Sequence, residues 1–156
     1  MVSEKMTKGL FNPKDVKGVE GSSLSIDLKK YDKKETSIAV AEIVQVPSQF
    51  TETKKQWSLR VQSEVLETAE GEEGPIEFRA SELFNLVQDD EGKLEGFPRT
   101  EGSNLMRFLK DLGVKGADKF TNLQEVIDSI IGKKTLIKSY EKNSDGRTKT
   151  FLRFRY

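Results

Sequence analysis

The residues with the clearest capacity for chemistry are the cations and aromatic rings that alternate through the C-terminal segment, YEKNSDGRTKTFLRFRY. Alternate residues of a strand share a face, so one face is expected to carry Lys149, Phe151, Arg153 and Arg155. The apolar residues between them belong to the opposite face, toward a core. Cations attract phosphate groups, and exposed aromatic rings stack on bases. The pattern therefore predicts a surface for single-stranded nucleic acid.

The turn between the two C-terminal strands decides which other side chains join that face. A three-residue loop within NSDG would set Glu141 opposite Lys149 and turn Tyr140 toward the core. A four-residue loop would instead bring Lys138, Tyr140 and Lys142 to the cationic face. That second register also sets two cations directly opposite each other, which is destabilising. Turn chemistry and charge pairing favour the three-residue loop.

Further cations are candidates for the same surface. Arg147 begins the last strand, Arg60 lies on the polar face of an earlier strand, and Lys54 and Lys55 precede that strand. A structural alternative stays open, because Lys and Arg on an edge hairpin also keep it soluble and block pairing with other chains.

The charge of the chain is segregated although its sum is zero. Residues 64–101 contain 12 acidic and 3 basic residues, whereas residues 133–156 contain 8 basic and 2 acidic ones. Such asymmetry favours either a polyanion site or association between oppositely charged surfaces. The second possibility predicts a protein–protein or structural module whose basic hairpin meets an acidic partner or a second copy of the chain.

Several classes of function are excluded by the residue types. The chain has no Cys and no His, which removes thiol and imidazole catalysis and the usual zinc sites. Glycine-rich phosphate loops are missing, and the acidic runs at 70–73 and 89–91 lack the spacing of a calcium loop. We therefore expect a non-enzymatic protein without a cofactor or metal.

The length of 156 residues fits one domain. Residues 1–23 show little periodicity and are predicted to form an extended arm, and residues 24–156 are predicted to form the domain. The chain lacks a long apolar run and an apolar signal core, so the cytoplasm, or the host cytoplasm if the chain is viral, is the expected location.

The elements that must position these residues follow from periodicity. Strands are predicted at 24–31, 36–46, 56–66 and 75–80, and a short helix is predicted at 81–88. Apolar stripes and capping residues predict two helices after residue 103, the second with Thr121 and Gln124 as its capping box. Two strands then close the chain. This order predicts a β-rich α+β fold, a five-stranded OB-like barrel with a helical insertion between its third and fourth strands.

A spaced motif in the C-terminal half carries a family resemblance. The motif consists of Gly102, Ser103, Leu105, Leu109, Leu112 and Gly113, followed by Gly132, Lys133 and the last hairpin. Over about residues 96–155 the chain resembles small phage-type OB-fold proteins that bind single-stranded DNA. The resemblance implies an OB fold and a role in replication or recombination, with a protein of those processes as a further partner. It carries over no contact residue.

Overall fold

The computed structural model describes residues 27–47, 55–144 and 146–156. Within these ranges the contacts form two compact units, the smaller one containing residues 67–77 and the larger one residues 28–66 and 78–156. Within the described ranges the strands are β1 (Glu35–Pro47), β2 (Lys55–Ser63), β3 (Glu67–Gly71), β4 (Gly74–Phe78), β5 (Ser81–Asn85), β6 (Val87–Gln88), β7 (Leu94–Gly96), β8 (Lys134–Ser144) and β9 (Arg147–Arg155). The helices are α1 (Asn104–Asp111) and α2 (Leu123–Ile130), with short 3-10 helices at Leu28–Tyr31 and Ala117–Lys119.

The larger unit is built on a five-stranded antiparallel sheet with the order β5-β2-β1-β8-β9. Burial alternates in β2 as the sequence predicts: the side chains of Leu59 and Val61 are fully buried, and Arg60 between them faces outward. β1 pairs with β2 over most of its length but with β8 only at its first three residues. The fold is therefore β-rich α+β, as predicted.

The two helices follow β5 and precede β8 in the chain, and they cover the inner face of the sheet. Phe108 of α1 stacks on Phe84 of β5 at 4.9 Å between ring centroids, and it contacts Phe154 of β9 at 5.4 Å. Ser103 caps α1 by accepting a hydrogen bond from the Met106 N–H, as its sequence predicts. The fold thus has the expected helical insertion before its last hairpin. None of the described helices has the length and apolarity to cross a membrane.

The capping box of α2 lies one residue from its predicted place. Asn122 and Glu125 form it, rather than Thr121 and Gln124, and the Thr121 N–H and hydroxyl also donate to the Glu125 carboxylate. These bonds, first of all the one from the Thr121 backbone, lower the pKa of Glu125. The helix begins where expected because both residue pairs offer the same capping chemistry.

Three element predictions are wrong. Residues 81–88 do not form a helix, because Ser81–Asn85 is strand β5, whose Glu82 and Phe84 point inward while Leu83 is exposed. Residues 75–80 do not supply the third strand of the sheet, because β4 pairs with β3 in a separate two-stranded sheet and β5 takes the place beside β2. Of the predicted first strand, Leu28–Tyr31 is a 3-10 helix, and residues 24–26 lie outside the described residues, as do 1–23 of the predicted arm.

The register of the last hairpin also differs from the favoured prediction. Ser144 pairs with Arg147, which leaves two residues in the loop rather than three or four. Gly146 has φ +74°, a value that glycine adopts without steric cost, and a two-residue loop with the sequence Asp-Gly is typical of tight hairpins. Side chains have the same parity in the two-residue and four-residue registers. Lys138, Tyr140 and Lys142 therefore lie on the cationic face, as in the four-residue register, which charge pairing disfavours.

Candidate nucleic-acid interface

The β8–β9 hairpin, hereafter the ribbon, carries an exposed pair of aromatic rings on its outer face. Tyr140 and Phe151 lie directly opposite each other in the register, and their rings stack with centroids 5.4 Å apart and planes 25° apart. Tyr140 is 36% exposed and Phe151 is 40% exposed, although both are large and apolar. This aromatic pair is a flat surface of the kind on which nucleic-acid bases stack.

Cations flank the aromatic pair on both sides along the ribbon. Lys138 pairs with Arg153 on one side, and Lys142 pairs with Lys149 on the other. All four side chains are exposed. Two like charges directly opposite each other are destabilising, and a bound anion would relieve that repulsion. The ribbon therefore combines stacking rings with positive charge in an order of cation pair, aromatic pair, cation pair.

The sheet does not close into a barrel by backbone pairing of β5 with β9 in the part of the chain that the structure describes. A single carboxylate links these two edge strands instead. Glu82 of β5, whose side chain is 2% exposed, accepts hydrogen bonds from Arg153 Nη2 at 2.8 Å and Nε at 3.2 Å. It also accepts the Phe154 N–H at 3.4 Å and the Tyr156 hydroxyl. We call this cluster the Glu82 bridge.

The Glu82 bridge gives Arg153 a structural role beside any role in binding. Its guanidinium is held by Glu82 and also lies 5.5 Å from the centroid of the Tyr140 ring. The hydrogen bond to Glu82 is the main cause of a raised pKa for Arg153. Charge reversal at Arg153 would therefore disturb the fold, so that substitution alone does not test the binding surface.

The Glu82 bridge predicts a loss of stability at alkaline pH. Burial, together with the hydrogen bond to Glu82, raises the pKa of the Tyr156 phenol. The folded state therefore favours the neutral phenol, so this contribution is full below about pH 10, the pKa of an unfolded tyrosine, and is lost as the pH rises further. We expect urea midpoints to fall as the pH rises above about 10, and to fall less in Tyr156→Phe. If the urea midpoint fell equally steeply with pH in the wild-type protein and in Tyr156→Phe, the prediction would be contradicted.

The structure brings four of the predicted site residues, Lys149, Phe151, Arg153 and Arg155, onto one exposed face of β9. Arg147 is exposed at the start of the same strand. Their role in binding stays a prediction.

The predicted contacts outside the ribbon are more dispersed. Arg60 faces outward from β2 but forms an ion pair with Glu42, its cross-strand neighbour. Lys55 is exposed at the first residue of β2, opposite Pro47, and Lys54 lies outside the described residues. Arg60 and Lys55 therefore lie on β2 and not on the two strands that carry the aromatic pair.

The hairpin register favoured from the sequence turns Tyr140, Lys138 and Lys142 away from the cationic face, and nothing in the sequence singles out Glu82. The signal for the first three was the Asp-Gly dipeptide, which permits a two-residue loop. No comparable signal marks Glu82, which is one of many acidic residues in its region.

No protein-family model, curated protein or solved structure matches the chain. In the described ranges, no group of acidic side chains is arranged to hold a metal ion.

Proposed function

We propose that this protein binds single-stranded nucleic acid, DNA in particular, on the outer face of the ribbon and without catalysing a reaction. The observation that carries the proposal is the exposed aromatic pair, Tyr140 and Phe151, between two pairs of cations. Bases of a single strand would stack on the rings, and its phosphates would contact the flanking lysines. A duplex hides its base faces, so single strands are the preferred ligand.

The strand order supports an OB-like barrel as the scaffold. If β1, β2, β5, β8 and β9 are counted as the first to fifth strands, the sheet reads third, second, first, fourth, fifth. Closure would join the third strand to the fifth, and the Glu82 bridge links those two strands. OB folds bind oligonucleotides near the loop between strands one and two and the loop between strands four and five. In this chain the second of those loops is the tip of the ribbon.

The resemblance of the C-terminal half to phage-type single-stranded DNA-binding proteins supports a cellular role in replication or recombination. A site made of stacking rings and cations suits a role that needs no strong sequence preference, because every base has a face that can stack.

The proposal is tested by fluorescence anisotropy with a labelled oligo-dT of about 30 nucleotides at several salt concentrations. We expect saturable binding that weakens as salt rises. The logarithm of the binding constant should fall with the logarithm of the salt concentration with a slope of about −0.7 per phosphate contact for a single strand. An unlabelled duplex of the same length should compete poorly. Folded protein that does not bind the oligonucleotide at low salt, or that binds the duplex equally well, would contradict the proposal.

Charge complementarity favours a second candidate, self-association. The β3–β4 hairpin of the smaller unit carries the exposed carboxylates Glu70, Glu72 and Glu73. Such a surface could bind the ribbon of another copy. Light scattering coupled to size-exclusion chromatography would then show oligomers at low salt that dissociate at high salt, without any nucleic acid. A monomer under both conditions would exclude this candidate.

A further inference from the structure

We infer that an open groove beside the ribbon holds phosphodiester groups of the same strand, so that the binding site extends from the aromatic pair to Arg107 of α1 and to Lys33. This inference rests on the proposed function. It adds to it a path for the backbone of the nucleic acid and two contact residues outside the ribbon.

The groove is continuous with the ribbon. It has a volume of about 690 Å³ and is bounded by α1, by β8 and β9, and by the turn that follows the first 3-10 helix. Lys138, Tyr140, Arg153 and Arg155 line it and also belong to the ribbon. A strand whose bases stack on Tyr140 would therefore have its next phosphates at the mouth of the groove.

The charge of the groove favours an anion. Its lining contains five cations, which are Lys33, Arg107, Lys138, Arg153 and Arg155, and two carboxylates, which are Asp32 and Glu82. Both carboxylates already accept hydrogen bonds from the protein. Glu82 is held in its bridge, and Asp32 accepts the Ser139 N–H at 2.7 Å, the main cause of its lowered pKa. Arg153 forms an ion pair with Glu82, and Lys33 and Arg155 are close enough to Asp32 to interact with its charge. Because the lining has five cations and two carboxylates, the groove stays positive.

The position of Arg107 suits phosphate binding. It is exposed on α1, and its guanidinium carbon lies 5.8 Å from the centroid of the Tyr156 ring, which the Glu82 bridge holds in place. A guanidinium that rests on an aromatic ring keeps its N–H groups available, and its planar fork matches two phosphate oxygens. Arg107 is therefore oriented by its neighbours before a ligand arrives.

Lys33 has a backbone conformation that points to function. In the described ranges it is the one residue other than glycine with positive φ, at +66°. Its N–H donates to the Ile137 carbonyl at 2.7 Å, which holds the turn against β8. Glycine would adopt this conformation without steric cost, yet the chain places there a lysine that lines the groove. A contact with phosphate explains why a charged side chain occupies the position.

The test compares Arg107→Glu with Lys110→Glu, which makes the same change of charge on the same helix at an exposed residue outside the groove. With the labelled oligo-dT, we expect Arg107→Glu to weaken binding about tenfold and to reduce the salt slope by about 0.7. Lys110→Glu should change both far less. Lys33→Gly serves as a second variant, because it removes the charge and relieves the positive φ. It should weaken binding about threefold without lowering the melting temperature.

The outcomes separate this inference from the proposed function. If the wild-type protein binds oligo-dT through Tyr140, but Arg107→Glu and Lys33→Gly bind as tightly as Lys110→Glu, the groove is not part of the site and the inference fails alone. If the wild-type protein does not bind, both proposals fail. A third arm uses pyrophosphate. Binding of pyrophosphate that depends on Arg107 but does not displace the oligonucleotide would assign the groove to a small phosphate ligand and overturn the inference.

Discussion

Replacing Glu82 by alanine is expected to lower the free energy of unfolding by about 3 kcal/mol, since the removal of one partner of a buried ion pair typically costs about 3–5 kcal/mol. The Glu82 carboxylate is buried, and it is the acceptor for Arg153, for the Phe154 N–H and for the Tyr156 hydroxyl. Without the Glu82 carboxylate, these three donors lose their acceptor between the edge strands β5 and β9. The expected value is at the lower end of the range because the Arg153 side chain is 45% exposed and can regain water.

The measurement is equilibrium unfolding in urea, followed by the fluorescence of Trp57. This indole is partly buried and donates a hydrogen bond to the Gly92 carbonyl at 2.9 Å, so its environment changes when the larger unit unfolds. A loss of stability well under 1 kcal/mol would show that the Glu82 bridge does not hold the two edge strands together.

The chain offers a matched control in its second cross-strand Arg–Glu pair. Glu42 and Arg60 lie opposite each other in β1 and β2, with side chains 45% and 42% exposed. Exposed pairs contribute at most about 1 kcal/mol, so Glu42→Ala should have a small effect. A similar loss in Glu42→Ala and Glu82→Ala would mean that burial of the carboxylate is not the cause.

Much of the fold was predictable because its elements have strong local signals. The alternation around Leu59 and Val61 predicts β2, and the apolar stripes with their caps predict α1 and α2. Strand β5 was missed because SELFNLVQ is short, and its apolar residues fit both a helix and a strand. Pairing with β2 then decides its conformation, which is a tertiary effect that the segment itself does not encode.

The candidate site was only partly predictable, for two physical reasons. One residue more or less in a hairpin loop exchanges the faces of a strand, so the position of Tyr140 depended on a detail of the turn. The Glu82 bridge joins residues 71 positions apart, and nothing near Glu82 distinguishes it from the exposed carboxylates around it. Contacts between residues so far apart in the sequence form only when the sheet has formed, so no local pattern predicts them.

Removal of the aromatic pair is expected to have the largest effect on binding. Stacking of a base on an aromatic side chain contributes about 1–3 kcal/mol, so Tyr140→Ala or Phe151→Ala should each weaken binding of oligo-dT by about 5- to 150-fold. Both rings are on the solvent side of the ribbon, and the melting temperature should change little. Val65→Ala is the control, because Val65 is 36% exposed, the same fraction as Tyr140, and lies outside the ribbon. Equal affinities for the three variants would contradict a stacking surface.

The salt dependence of these variants separates stacking from charge. Loss of a ring removes an interaction that does not release counterions, so Tyr140→Ala should weaken binding by the same factor at every salt concentration. Lys149→Glu should instead reduce the salt slope by about 0.7, with its effect largest at low salt. Because the two rings contact each other, the double variant should lose less than the sum of the single losses. If Tyr140→Ala changed the slope as Lys149→Glu does, the ring would act by positioning cations, and the aromatic pair would not be where the bases bind.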